Sequence, residues 1–403
     1  MRPREQRWLV VAALFTMTFA LANPFAAFGV FLPILAQEFG WSRGAISVAF
    51  SINLVLGGAF GFAVGTLADR YGPRALLAGT AALAGMGFAL ASTIHALWHF
   101  YLFVGVMGGV GMSAFYVLST STVARWFDTR RGLAIGIVLT GFNLGFVAGS
   151  PAAAWLIQHV GWRAAYTILG VSCGLVGTLA ALAVRDPSPA EIGHRAAASR
   201  ALAPGPAHAL AGASLREALA DTRFWCFNAS WLLMGLVLTM LSVHVVPHAR
   251  DRGIDLAQAA LALTAYGLGS VAGRLVLGAG SDRLGTKTTM LLCFALQIGA
   301  LAALIAPSAG LLPLAMAVYG VGFAGADTVI VRVIPDVFGL RALGSIMGVL
   351  ALGWRCGAAL GPTVTGFIYD LTRSYTIPFS VAPVLTLASF VLVTFAASSR
   401  RAW

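Results

Sequence analysis

Gly65-Thr-Leu-Ala-Asp69-Arg70-Tyr-Gly72-Pro-Arg74 returns later in the chain as Gly278-Ala-Gly-Ser-Asp282-Arg283-Leu-Gly285-Thr-Lys287, with every shared position displaced by 213 residues. Each copy sits between two apolar runs and reads as a short polar turn joining two helices. A weaker echo pairs Trp126-Phe127, Arg130 and Gly136 with Val337-Phe338, Arg341 and Gly348, at displacements of 211 to 212. Turns that recur at a nearly fixed displacement mark a duplication, so the chain reads as two halves of one plan.

The runs flanking these turns are too apolar for a soluble core. Of 403 residues, 59% are hydrophobic and 10% charged, with mean hydropathy +0.86. No water-soluble surface can be made from that balance, and the bilayer must be the solvent. Twelve apolar stretches are predicted to span it, near 9–35, 45–68, 75–95, 98–124, 132–158, 163–184, 223–247, 257–281, 288–306, 311–334, 343–369 and 375–397. About 20 residues suffice to cross roughly 30 Å of hydrocarbon. The expected fold is all-α and integral to the membrane, with twelve transmembrane helices in two pseudo-symmetric six-helix bundles.

The one long polar break, Arg185 to Asp221, contains Pro187, Pro189, Pro204 and Pro206 and has the composition of a linker. The expected organisation is an N-terminal bundle over 1–185, a cytoplasmic linker over 186–221 and a C-terminal bundle over 222–403. The first apolar run follows Arg2, Arg4 and Arg7, is too long for a signal-peptide core, and is expected to remain as helix 1. Cys173, Cys226, Cys293 and Cys356 fall within spans and read as packing residues.

A formal charge of +12 raises nucleic acid as a partner, but the basic residues form no run interleaved with aromatics. They mark topology instead. Of 26 Lys and Arg, 18 lie in the termini and even-numbered turns, five in odd-numbered turns and three within spans. By the positive-inside rule both termini are expected in the cytoplasm, with the chain in a cell inner membrane.

The doubled turn resembles the signature of the major facilitator superfamily, G-x-L-a-D-R-x-G-x-R between helices 2 and 3, and the resemblance covers essentially the whole chain. It implies a transporter whose halves rock about a midplane site. Gly65 and Gly278 are expected to let helices approach, with Asp69, Arg70, Asp282 and Arg283 making gating contacts. The plainer alternative is that these are topology-setting charges on tight turns. A narrower resemblance, to the monocarboxylate transporter and oxalate/formate antiporter families, rests on Trp126-Phe127, Arg131-Gly132 and Gly161-Trp162-Arg163. It continues in Val243-His244-x-x-Pro247-x-Ala249-x-Asp251-x-Gly253 and Gly273-Arg274. In those families an arginine on helix 8 holds the substrate carboxylate, and the resemblance gives that role to Arg274; the alternative is that Asp327 neutralises it for structure alone.

Ionisable side chains in hydrocarbon cost several kcal/mol unless paired or wetted, so each is a site hypothesis. Arg274 follows Tyr266 and Ser270 at spacings of four, a polar stripe on an apolar helix. Its guanidinium offers a planar fork for a carboxylate. His244 is a candidate for substrate hydrogen bonding or proton relay, with a histidine satisfied near the outer interface as the alternative. With His248 it forms an i, i+4 pair, but further ligands are not evident and no metal is expected. Tyr116 is a candidate for the first-half wall of the cavity. Arg355 is either a second anion contact or the partner of Asp327, which lies at similar depth; Arg274 and Arg332 compete for that aspartate. Asp327 is also a proton-coupling candidate, because Ser270 occupies the position where animal monocarboxylate transporters carry an aspartate.

No H-E-x-x-H, G-x-S-x-G or ATP-binding motif appears, so neither an enzyme nor a cofactor is expected. The expected partner is a small organic anion, driven by protons or a counter-anion. The alternatives are a carrier of a dicarboxylate, aromatic acid, vitamin or exported drug, and a non-transporting membrane sensor.

Overall fold

The computed structural model describes residues 3–127, 131–185, 212–339 and 341–397. The helices in chain order are α1 (Pro3–Ala26), α2 (Phe28–Phe39), α3 (Arg43–Tyr71), α4 (Pro73–Leu90), α5 (Leu97–Phe100), α6 (Gly108–Trp126) and α7 (Arg131–Leu182). They continue in α8 (Leu215–Ala220), α9 (Thr222–Asp251), α10 (Leu256–Leu284), α11 (Thr286–Leu304), α12 (Leu311–Phe338), α13 (Leu343–Thr372) and α14 (Thr376–Ala396).

Ten stretches of the described residues are long and apolar enough to cross a bilayer. One of them, Leu133–Leu182, holds two spans that meet at Gly161, whose φ of 79° and ψ of 163° break the helix. The thirty-residue α13, diluted by Arg355 and several glycines, completes the twelve. The protein is an all-α membrane protein of twelve transmembrane helices. Span 1 is jointed where α1 passes to α2, just after Pro24, which has no N–H to donate. Span 4 carries a π-helical stretch, Tyr101–Met107, that sequence periodicity did not foretell. The Asn53 side chain, deeply buried on α3, donates to the Val104 carbonyl within it at 2.9 Å.

The duplication is visible in the backbone. Gly72 (φ 77°, ψ 158°) and Gly285 (φ 80°, ψ 153°) adopt the same conformation, one essentially closed to residues with a Cβ, and each starts the helix after its motif. The indispensable glycine of the turn is therefore this one. At Gly65 a Cβ would meet only Val117, at an ordinary 3.5 Å, so close approach is not what that position requires. Gly278 and the side chains of Asp69, Arg70 and Asp282 lie outside what the structure describes, as do residues 186–211 of the linker; Arg283 is exposed.

The chain forms two compact units whose border is not the middle of the sequence. Ala26–Ser51 and Phe146–Trp155, stretches of the first half, group with the second half. In the first unit, α4 and the later part of α7 press together at Gly85 and Gly174, where a Cβ on Gly174 would stand 3.2 Å from the Gly85 Cα. In the second, α9 packs on α13 and α10 on α12. Pro362 has no N–H and leaves the Ala358 carbonyl without its helical donor; Thr239 Oγ1 supplies one at 2.8 Å.

The chain re-enters the second unit by pinning Ala213 N–H to the Phe338 carbonyl at 2.8 Å, and a Ser214–Glu217 capping box starts α8. Asp221 caps α9 through the Arg223 N–H at 2.8 Å. The Arg223 guanidinium, 2.6 Å from the same carboxyl group, holds Asp221 below the usual carboxylate range.

Candidate functional site

The polar stripe of α10 is divided by its neighbour α12. A Cβ at Gly320 of α12 would lie 2.9 Å from the Ser270 N and 3.2 Å from its Oγ, so the two helices touch backbone to backbone. This closeness buries Ser270, whose hydroxyl turns back to the Tyr266 carbonyl at 2.8 Å. Tyr266 is buried as well, with its ring between Phe146 and Tyr319 at centroid distances of 6.0 and 6.2 Å. Of the three stripe residues, Arg274 alone is exposed.

One turn beyond that contact the helices present their charges to each other. Arg274 Nη2 stands 3.3 Å from Asp327 Oδ2, with the two side chains 42% and 30% exposed. That single hydrogen bond is the only partner of either group among the described residues, and the other N–H groups of the guanidinium point at none. Arg355 does not pair with Asp327. It is half-buried on α13 and has contacts of its own. Arg332 donates to Ser281 Oγ at 3.1 Å, one residue before the repeated aspartate. Similar depth was thus a poor guide to pairing, because one residue of helix is about 100° of rotation.

His244 is fully buried far from Arg274 along the bundle, at the end remote from the motif turns, hereafter the distal end. Its Nδ1 lies 3.0 Å from the Tyr375 hydroxyl and its Nε2 2.8 Å from the Pro362 carbonyl, so protein groups engage both ring nitrogens. His248 turns elsewhere, with Nε2 3.0 Å from the Leu304 carbonyl and its ring stacked 4.3 Å from Phe379. The i, i+4 pair is therefore split between different partners. Tyr116 belongs to the first unit and is 50% exposed on α6, beside Phe115. Arg43, which the sequence reading did not single out, and Asp251, quoted there only as part of the family pattern, form a two-bonded ion pair at the distal end. The available signal was an arginine and an aspartate in turns where basic residues are scarce.

The sequence that folds into this duplicated helical bundle matches the pattern of the Major Facilitator Superfamily over residues 14–248 and 232–403. The chain belongs to the Major Facilitator Superfamily. It is a transporter, not an enzyme. Monocarboxylate transporter 13 of Bos taurus is 29% identical over 400 residues, covering 96% of this chain and 88% of that protein. Monocarboxylate transporter 11 of Homo sapiens is 28% identical, covering 96% and 82%. The uncharacterized MFS-type transporter YcxA of Bacillus subtilis (strain 168) is 27% identical, covering 96% and 94%. Among solved structures, a bacterial homolog of the human lysosomal transporter Spinster, inward-facing and occupied, superposes with a TM-score of 0.73 at 16% identity, covering 99% of this chain and 96% of that one. At that identity the likeness speaks for the fold.

Proposed function

We propose that this superfamily member is a secondary active carrier of a small organic anion, a monocarboxylate, and that Arg274 anchors its carboxylate. The observation that carries the reading is the state of Arg274: an exposed guanidinium on an otherwise apolar helix, held by one 3.3 Å contact to Asp327. A fork this sparsely used is ready to take a planar anion through two parallel hydrogen bonds. The monocarboxylate transporters similar to the whole chain support the substrate class.

In this reading the two six-helix bundles, 1–185 and 222–403, rock around a midplane site, with both termini on the cytoplasmic side of an inner membrane. The arriving carboxylate competes with Asp327 for Arg274. Asp327, once displaced, is free to take a proton, which couples anion and proton movement without an aspartate at Ser270. Tyr116 and Arg355 are proposed to shape the remainder of the cavity. Ser270 and Tyr266, both buried, are proposed to set its wall by fixing α10 on α12. The motif residues Asp69, Arg70, Asp282 and Arg283 are proposed to gate the cytoplasmic side.

The test is uptake by purified protein in liposomes against a panel of mono-, di- and aromatic carboxylates and neutral solutes. Arg274→Lys keeps the charge and loses the fork. A charge-assisted hydrogen bond is worth about 1.5–3 kcal/mol, so uptake of the preferred monocarboxylate is expected to fall at least tenfold with insertion unchanged. Near-normal uptake by Arg274→Lys, or preference for a neutral solute, overturns the assignment.

A further inference from the structure

The first turn of α3 is held to the distal end of α9 and α13 by polar contacts that no packing requirement explains. Arg43 Nη1 and Nη2 each bond the Asp251 carboxylate at 2.7 Å, and Nη1 also reaches the Tyr375 hydroxyl at 3.0 Å. The same guanidinium lies 4.0 Å over the Tyr369 ring. The backbone N–H groups of Arg43 and Gly44, two of the donors a helix start leaves without a helical partner, bond Asp370 Oδ1 and Oδ2 at 2.9 and 2.8 Å. A carboxylate from the end of one helix thus caps the start of another, 327 residues away in sequence.

The network continues inward in one direction only. The Pro362 carbonyl can only accept, so the His244 proton sits on Nε2. Nδ1 then accepts from Tyr375, whose oxygen accepts from Arg43. One turn deeper, Ser51 donates to the Ala359 carbonyl and lies 2.6 Å from the Thr363 hydroxyl. At the crossing itself, a Cβ on Gly366 would stand 2.6 Å from the Gly44 Cα.

By the 213-residue repeat, Arg43 belongs to the first half and Asp251, Tyr369, Asp370 and Tyr375 to the second. The repeat places Leu256 where Arg43 would recur, so this arginine has no counterpart at the repeated position. The charges of the network are partly open at the surface, the Arg43 and Asp251 side chains being 13% and 32% exposed. We infer that Arg43 is the latch of a distal gate: its bonds to Asp251 and Tyr375, with the Asp370 cap on α3, hold the distal side of the carrier closed and break once in each cycle. This rests on the alternating-access reading above and assigns it residues at the side opposite the repeated motif.

The test needs no substrate. In a background with the four native cysteines replaced, Ser51→Cys reports from behind the latch, and a membrane-impermeant maleimide is added to intact spheroplasts. Arg43→Gln and Asp251→Asn are each expected to raise the labelling rate at least tenfold. Asp251→Asn is nearly isosteric and decides the matter if Arg43→Gln fails to insert. Rates within twofold of the parent for the inserted variants overturn the latch. A carrier of some other solute would still show the acceleration, so failure of the carboxylate assignment, read from Arg274→Lys, is distinguishable from failure here.

Discussion

Replacing Asp327 by asparagine separates a competitor of the substrate from a support of the site. In the structure Asp327 holds Arg274 through one contact of 3.3 Å between side chains 30% and 42% exposed. Pairs this open to solvent contribute about 0.2–1 kcal/mol. If the anion must displace Asp327, that sum is subtracted from its binding. Removing the charge should then return it, and at 1.4 kcal/mol per tenfold this lowers the half-saturating concentration by up to about fivefold. The same variant loses its proton acceptor, so accumulation driven by an imposed pH gradient should fall while exchange of labelled for unlabelled substrate continues. Both are measured in liposomes, the first as equilibrium exchange and the second as net uptake. A half-saturating concentration raised tenfold or more, with folded yield intact, would show that Asp327 holds the arginine in its working position and would refute the competition.

Two further outcomes are expected. Gly285→Ala and Gly72→Ala each place a Cβ in a backbone region that costs about 1–3 kcal/mol; both should lower the melting temperature in detergent, and no loss at either would contradict the shared turn geometry. Alkaline phosphatase fused after Trp403 should be inactive in inserted protein, since the termini are proposed to be cytoplasmic, and high activity there would reverse the topology.

The helices were largely legible because hydropathy and a fixed displacement are one-dimensional signals. Span ends from sequence and helix ends from structure agree within a few residues for most elements, and Gly161 divides spans five and six in the gap the sequence left at 159–162. The turn motif was legible as a repeat, but only backbone angles reveal that Gly72 and Gly285 carry the conformational demand of the turn. At the site, depth and stripe pointed to Arg274, while the stripe residues Tyr266 and Ser270 proved buried. Sequence left Arg355, Arg274 and Arg332 all open as partners of Asp327, because depth is readable and azimuth is not. The distal network was invisible for a different reason: Arg43 and its partners lie 208 to 332 residues apart, and only the fold brings them together.

The cap that α3 takes from Asp370 has a thermodynamic consequence. A helix that carries its own capping residue keeps its first turn whether or not it is docked. One whose first N–H groups are satisfied by another helix loses that support on separation, leaving Ser42, whose Oγ reaches the Ala45 N–H at 3.2 Å, as the local substitute. Parting α3 from α13 therefore loosens the first turn of α3, absorbing heat as bonds are exchanged for water and gaining chain entropy. Distal opening should accordingly grow with temperature. The resting orientation of the carrier becomes a function of temperature as well as of gradient.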